Sequence, residues 1–135
     1  MNTNKRVTGL LKAIVSEHFA EEAEAFEVAG DEYVAMALAG ENPDSLKKRA
    51  AVNNEFGESV VPMMKFVVLT WQTVKVILDI YGLLTAEAEV DGKKVAERWR
   101  DELRAAGLDP LTAENIAKEH ASELEKIIAE KRNRS

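Results

Sequence analysis

The sequence predicts an all-α fold, a bundle of five or six helices packed around one central apolar helix at about residues 62–84. Three observations carry that prediction. Apolar residues recur at three- and four-residue spacing along most of the chain, which is the period of one helical face. No stretch alternates apolar and polar side chains for five or six residues between turn dipeptides, as a half-buried strand would. Glycine closes three periodic segments, at Ala29-Gly30, Ala39-Gly40 and Ala106-Gly107, where it can cap a helix in the left-handed conformation.

The elements follow in order. A first helix is expected from Asn4 to Ala29, with Val7, Leu10, Leu11, Ile14, Val15, His18, Phe19 and Phe26 along its apolar stripe. A short second helix runs from Asp31 to Ala39. A third, mostly polar one opens at Asn42-Pro43, since proline is tolerated in a first turn. Gly57 and Pro62 bracket a kink or break, because Pro62 has no backbone N–H and crowds the carbonyl four residues back.

Beyond that point lies the most apolar stretch of the chain, PMMKFVVLTWQTVKVILDIYGLL. Its polar residues Lys65, Gln72, Lys75 and Asp79 fall on one narrow stripe, and Trp71 and Leu78 are expected on the opposite side. A helix apolar over most of its circumference suits the centre of a bundle. The stretch is long enough to span a bilayer, but its charged side chains, at roughly 2.5–3.5 kcal/mol each near the centre of a spanning helix, argue against insertion. A fifth helix covers Asp91 to Ala106, with Val95, Trp99 and Leu103 at four-residue spacing. A sixth starts at Asp109-Pro110 or Thr112 and carries Ile116, His120, Leu124 and Ile127 on one face.

With 135 residues, 46% apolar and 31% charged, the chain reads as a single folded domain over 1–135, frayed at 1–3 and 132–135. The net charge of −6 disfavours nucleic acid as the main partner, since backbone binding needs surplus Lys and Arg. The Lys47-Lys48-Arg49 run and Lys93-Lys94 carry no interleaved aromatics for base stacking. There is no cysteine, which removes thiol chemistry and Cys-ligated metals and fits a cytoplasmic setting. Glycine-rich phosphate loops and nucleophile elbows are missing too.

Two local patterns carry chemistry. The chain's two histidines share a setting, Glu17-His18-Phe19-Ala20-Glu21 and Glu119-His120-Ala121-Ser122-Glu123. On a helix, residues three apart share a face, so His18 with Glu21 and His120 with Glu123 form a candidate divalent-metal set for zinc. The simpler expectation is two structural histidines at the core boundary, each hydrogen-bonded to a carboxylate, with no metal and no cofactor. A di-iron carboxylate bundle is disfavoured, because it needs Glu-x-x-His and further helix carboxylates, and Val60 to Leu78 offers none.

The second pattern is the ladder Glu21, Glu24, Glu27, followed by Glu55-Phe56-Gly57-Glu58 ahead of the apolar helix. This resembles the all-α nucleoside triphosphate pyrophosphatases, which hold magnesium with Glu-x-x-Glu on one helix and Glu-x-x-Asp on a later one. The resemblance implies Glu24, Glu27, Glu55 and Glu58 as catalytic Mg²⁺ ligands; it covers these four positions, with Glu58 where the family has Asp. The leading functional expectation is non-catalytic: an acidic helical module that binds a protein partner or a copy of itself as an adaptor, immunity or antitoxin-like protein or assembly subunit.

Overall fold

The computed structural model describes residues 3–41, 65–83 and 91–133. These form five α-helices and one 3-10 turn, with no strand among the described residues: α1 (Thr3–His18), the 3-10 turn (Ala20–Glu22), α2 (Ala23–Leu38), α3 (Lys65–Leu83), α4 (Gly92–Ala105) and α5 (Pro110–Asn133). The predicted helix from Asn42 and the kink near Gly57-Pro62 lie outside the described residues. At the chain ends, Thr3 belongs to α1 and residues 132–133 to α5.

α3 is the central helix. It packs against α1, α2, α4 and α5, and Phe66, Leu69, Val74, Val76 and Ile77 are buried on it. The polar stripe faces outward as expected: Lys65 and Lys75 are exposed, and Gln72 and Asp79 partly so. Trp71 and Leu78, however, flank that stripe instead of opposing it. They line one shallow groove together with Gln72, Lys75 and Asp79. The side facing away holds Thr70 and Ile77, both fully buried. No helix among the described residues is long and apolar enough to cross a membrane.

The long first helix is two helices. The chain leaves α1 at Phe19, whose backbone sits at φ −133° and ψ 49°, and turns through Ala20–Glu22 into α2. Two long-range demands explain the break: Phe19 is buried, and the buried Glu22 carboxylate accepts the backbone N–H groups of Lys65 (3.1 Å) and Phe66 (2.8 Å). The first-turn N–H groups of a helix have no intrahelical acceptor, and a carboxylate there satisfies them and meets the positive end of the dipole.

Ala29-Gly30 is correspondingly not a helix end, since α2 runs through it. A Cβ at Gly30 would lie 2.8 Å from Cε2 and Cζ of Phe26, so glycine makes room for that ring, which packs edge-on against Phe66. The other two pairs are true caps. Gly40 and Gly107 have φ of +85° and +101°, and each sits in a paired hydrogen-bond motif: Glu41 N to Met36 O with Gly40 N to Ala37 O, and Leu108 N to Leu103 O with Gly107 N to Arg104 O. Asp91 caps α4 through the N–H of Lys93. Asp109 accepts the N–H of Thr112 at 3.1 Å, with Pro110 in the tolerated first position of α5.

Candidate metal centre

α1 and α5 pack side by side and run in opposite directions. Near the start of α1, Arg6 pairs with Glu123 at 2.7 Å and with Glu130. Toward its end, Glu17 and His18 meet Glu119 and His120. The apolar stripe of α1 (Val7, Leu11, Ile14, Val15) and that of α5 (Ile116, Leu124, Ile127) are buried, and this sets which residues ride at the seam. The two Glu-His dipeptides therefore face each other across it.

The contacts are reciprocal. His18 Nε2 lies 3.5 Å from Glu17 Oε1 and 3.6 Å from Glu119 Oε2. His120 Nε2 lies 3.4 Å from Glu17 Oε2 and 3.9 Å from Glu119 Oε2. The imidazole side chains are only 15% and 17% exposed, the carboxylates 47% and 42%. Neither Nε2 atom touches solvent, and neither makes a hydrogen bond. These separations exceed the 2.7–3.2 Å of an ordinary N–H···O bond. Leaving a buried polar atom unsatisfied costs about 1–3 kcal/mol, so two at one place call for a partner.

The cluster has the donor types of a divalent-ion site. Tetrahedral coordination with ligands at about 2.0–2.1 Å places neighbouring ligand atoms roughly 3.3–3.4 Å apart, and the two contacts that His18 makes with Glu17 and Glu119 are 3.5 and 3.6 Å. Glu17, His18 and Glu119 bring one ligand atom each within 4.8 Å of one another. Two carboxylates balance a +2 charge, and imidazole with carboxylate suits zinc and its neighbours in the first transition row. The Glu17 carboxyl is held below its ordinary range, first by its hydrogen bond with Glu119 and then by attraction to the two imidazoles, against the opposing effect of desolvation.

The structure brings the two sequence-predicted histidines together, with Glu17 and Glu119 beside them in place of Glu21 and Glu123. Glu21 lies past the end of α1 and faces Lys65 Nζ at 3.7 Å. Glu123 is committed to Arg6. The glutamates that converge are those immediately before each histidine, a regularity visible in both strings. Of the magnesium-type ladder, Glu24 is exposed and Glu27 stands 4.0 Å from Lys12 Nζ, while Glu55 and Glu58 lie outside the described residues. Glu22, which fastens α2 to α3, carried no sequence signal, because its acceptor role depends on residues more than forty positions away. No protein-family model matches this chain, and no curated protein and no solved structure matches it.

Proposed function

We propose that this protein is a helical divalent-metal binder, holding one ion, zinc in first place, between α1 and α5 through Glu17, His18 and Glu119 with His120 beside them. One observation carries the reading: two solvent-shielded imidazole nitrogens without hydrogen bonds converge on the same two carboxylates. An ion there links the N-terminal helix to the C-terminal one and satisfies groups that the protein alone leaves unsatisfied, so binding and folding are coupled. A docking role draws less support: among the described residues the exposed large apolar side chains are Val28 and Leu111, one on α2 and one on α5.

The test is elemental analysis of untagged protein, followed by equilibrium dialysis of the chelator-treated protein against Zn²⁺, Mn²⁺, Ni²⁺ and Mg²⁺. One transition ion per chain is expected, lost in His18→Ala and Glu17→Gln and kept in Glu21→Gln and Glu123→Gln. Wild-type protein that takes up no ion would refute the proposal, as would uptake unaffected by His18→Ala.

A further inference from the structure

Glu17 and Glu119 serve both imidazoles, not His18 alone. His120 Nε2 lies 3.4 Å from Glu17 Oε2 and 3.9 Å from Glu119 Oε2, and the first of these is the shortest imidazole–carboxylate contact in the cluster. It is too long for an N–H···O bond, whose range is about 2.7–3.2 Å, and it matches the roughly 3.3–3.4 Å between neighbouring donors around a tetrahedral ion. A residue that only steadied a ligand from outside would need one carboxylate; His120 approaches both. Its Nε2 is shielded from solvent and makes no hydrogen bond, so solvent does not satisfy it.

We infer that His120 is the ion's fourth protein ligand, through Nε2, and that the site is closed by two imidazoles and two carboxylates. The inference rests on the metal reading above. His120 lies outside the trio whose ligand atoms fall within 4.8 Å of one another, so its coordination requires the two imidazoles to close on each other across the α1–α5 seam as the ion enters. Each helix then contributes one Glu-His dipeptide, and the charges of the ion and the two carboxylates cancel. Four protein donors leave no position for water or substrate, as in sites that brace a fold and unlike those that catalyse. The same closure selects the ion: zinc accepts four tetrahedral donors, whereas magnesium demands octahedral oxygen ligands and keeps several waters. His120 thereby sets which ion the seam takes and what the ion does there.

Cobalt titration of the chelator-treated protein tests this, because the visible bands of bound Co²⁺ are intense in tetrahedral sites, weak in six-coordinate ones, and shift when an outside ligand enters. Wild type should give intense bands that azide leaves unmoved. His120→Ala should bind Co²⁺ at least about tenfold more weakly and show altered bands, which added imidazole restores by returning the missing donor. His120→Gln, close to the ring in volume and a poorer donor, repeats the comparison where His120→Ala fails to fold by circular dichroism. Bands of wild-type position and intensity in the variant, whatever its affinity, make His120 an outer partner and overturn the inference. Wild-type bands that are weak or shift with azide reveal an incomplete protein shell and overturn it as well; both results leave the metal reading standing. Absence of bands in the wild type removes the metal reading itself, and this inference with it.

Discussion

The Glu22 carboxylate accepts the backbone N–H of Phe66 at 2.8 Å across 44 positions of sequence, and with Lys65 N–H as second donor it ties the turn before α2 to the first turn of α3. Glu22 is buried, so its truncation leaves N–H groups without an acceptor. Glu22→Ala should cost about 1–3 kcal/mol, and Glu22→Gln, which keeps an acceptor oxygen, clearly less. Urea denaturation of the pair measures the difference. Equal midpoints for both variants and wild type would mean the contact does not fasten the two helices.

A second contact lies deeper. Trp99 Nε1 donates to Thr73 Oγ1 at 2.9 Å, with both side chains fully buried. Thr73→Val keeps the shape and strands the indole N–H, at an expected cost of about 1–3 kcal/mol. Trp99→Ala empties the α3–α4 interface and should cost about 3–5 kcal/mol, and Ile77→Ala about 2–5. Chemical denaturation with tryptophan fluorescence or circular dichroism ranks the three.

Gly30→Ala inverts the usual helix rule. Alanine is favoured over glycine by about 1 kcal/mol in a helix interior, yet here the new Cβ would press on the Phe26 ring at 2.8 Å, and overpacking costs about 1–3 kcal/mol. The expected outcome is a protein of equal or lower stability whose near-ultraviolet dichroism changes as the aromatic cluster shifts. A clear gain in melting temperature would show the ring moving aside freely.

Zinc should raise the melting temperature in proportion to the logarithm of its free concentration, by about 2.7 kcal/mol of added stability at one hundred times the dissociation constant. Acid should abolish that gain, since the proposed ligands must be deprotonated to bind. Calorimetry at several zinc concentrations, with His18→Ala as the silent control, checks both.

In the chelator-treated protein a separate pH dependence remains. Glu17 has a folded pKa below its ordinary 4.5. Its contribution is therefore complete above the ordinary value and disappears as pH falls through the lowered one. Wild type should lose stability more steeply than Glu17→Gln over that acidic window, and parallel curves would remove the effect.

What was legible in the sequence was what local chemistry determines. The helical class, the central helix, the Val95-Trp99-Leu103 face and the caps at Asp91, Asp109, Gly40 and Gly107 each follow from residues within a turn or two of one another. Ala29-Gly30 has the same local signature as the two real caps and was misread, because its glycine answers to a ring packed from α3. The break at Phe19 was hidden for the same reason: its causes are burial and a carboxylate owed to Phe66. The cluster of two histidines and two glutamates was half legible. The two Glu-His strings announced themselves, but three-residue spacing selects a partner only within a continuing helix. α1 ends at His18, and at the seam the neighbouring helix chooses the glutamates.

The α4–α5 pair has a further consequence, for the order in which the chain assembles. These two helices join through a short glycine-capped loop, with each helix start fixed by its own aspartate. Among the described residues theirs is the most extensive helix pairing, and it needs little chain closure, whereas α1 reaches α5 only after the intervening chain has been gathered in. Contacts local in sequence form first. The α4–α5 hairpin is accordingly expected to form before α3 and α1 dock on it: pulse-labelled hydrogen exchange should find its amides protected earliest, and a bound ion should slow the departure of α1 more than it speeds the arrival.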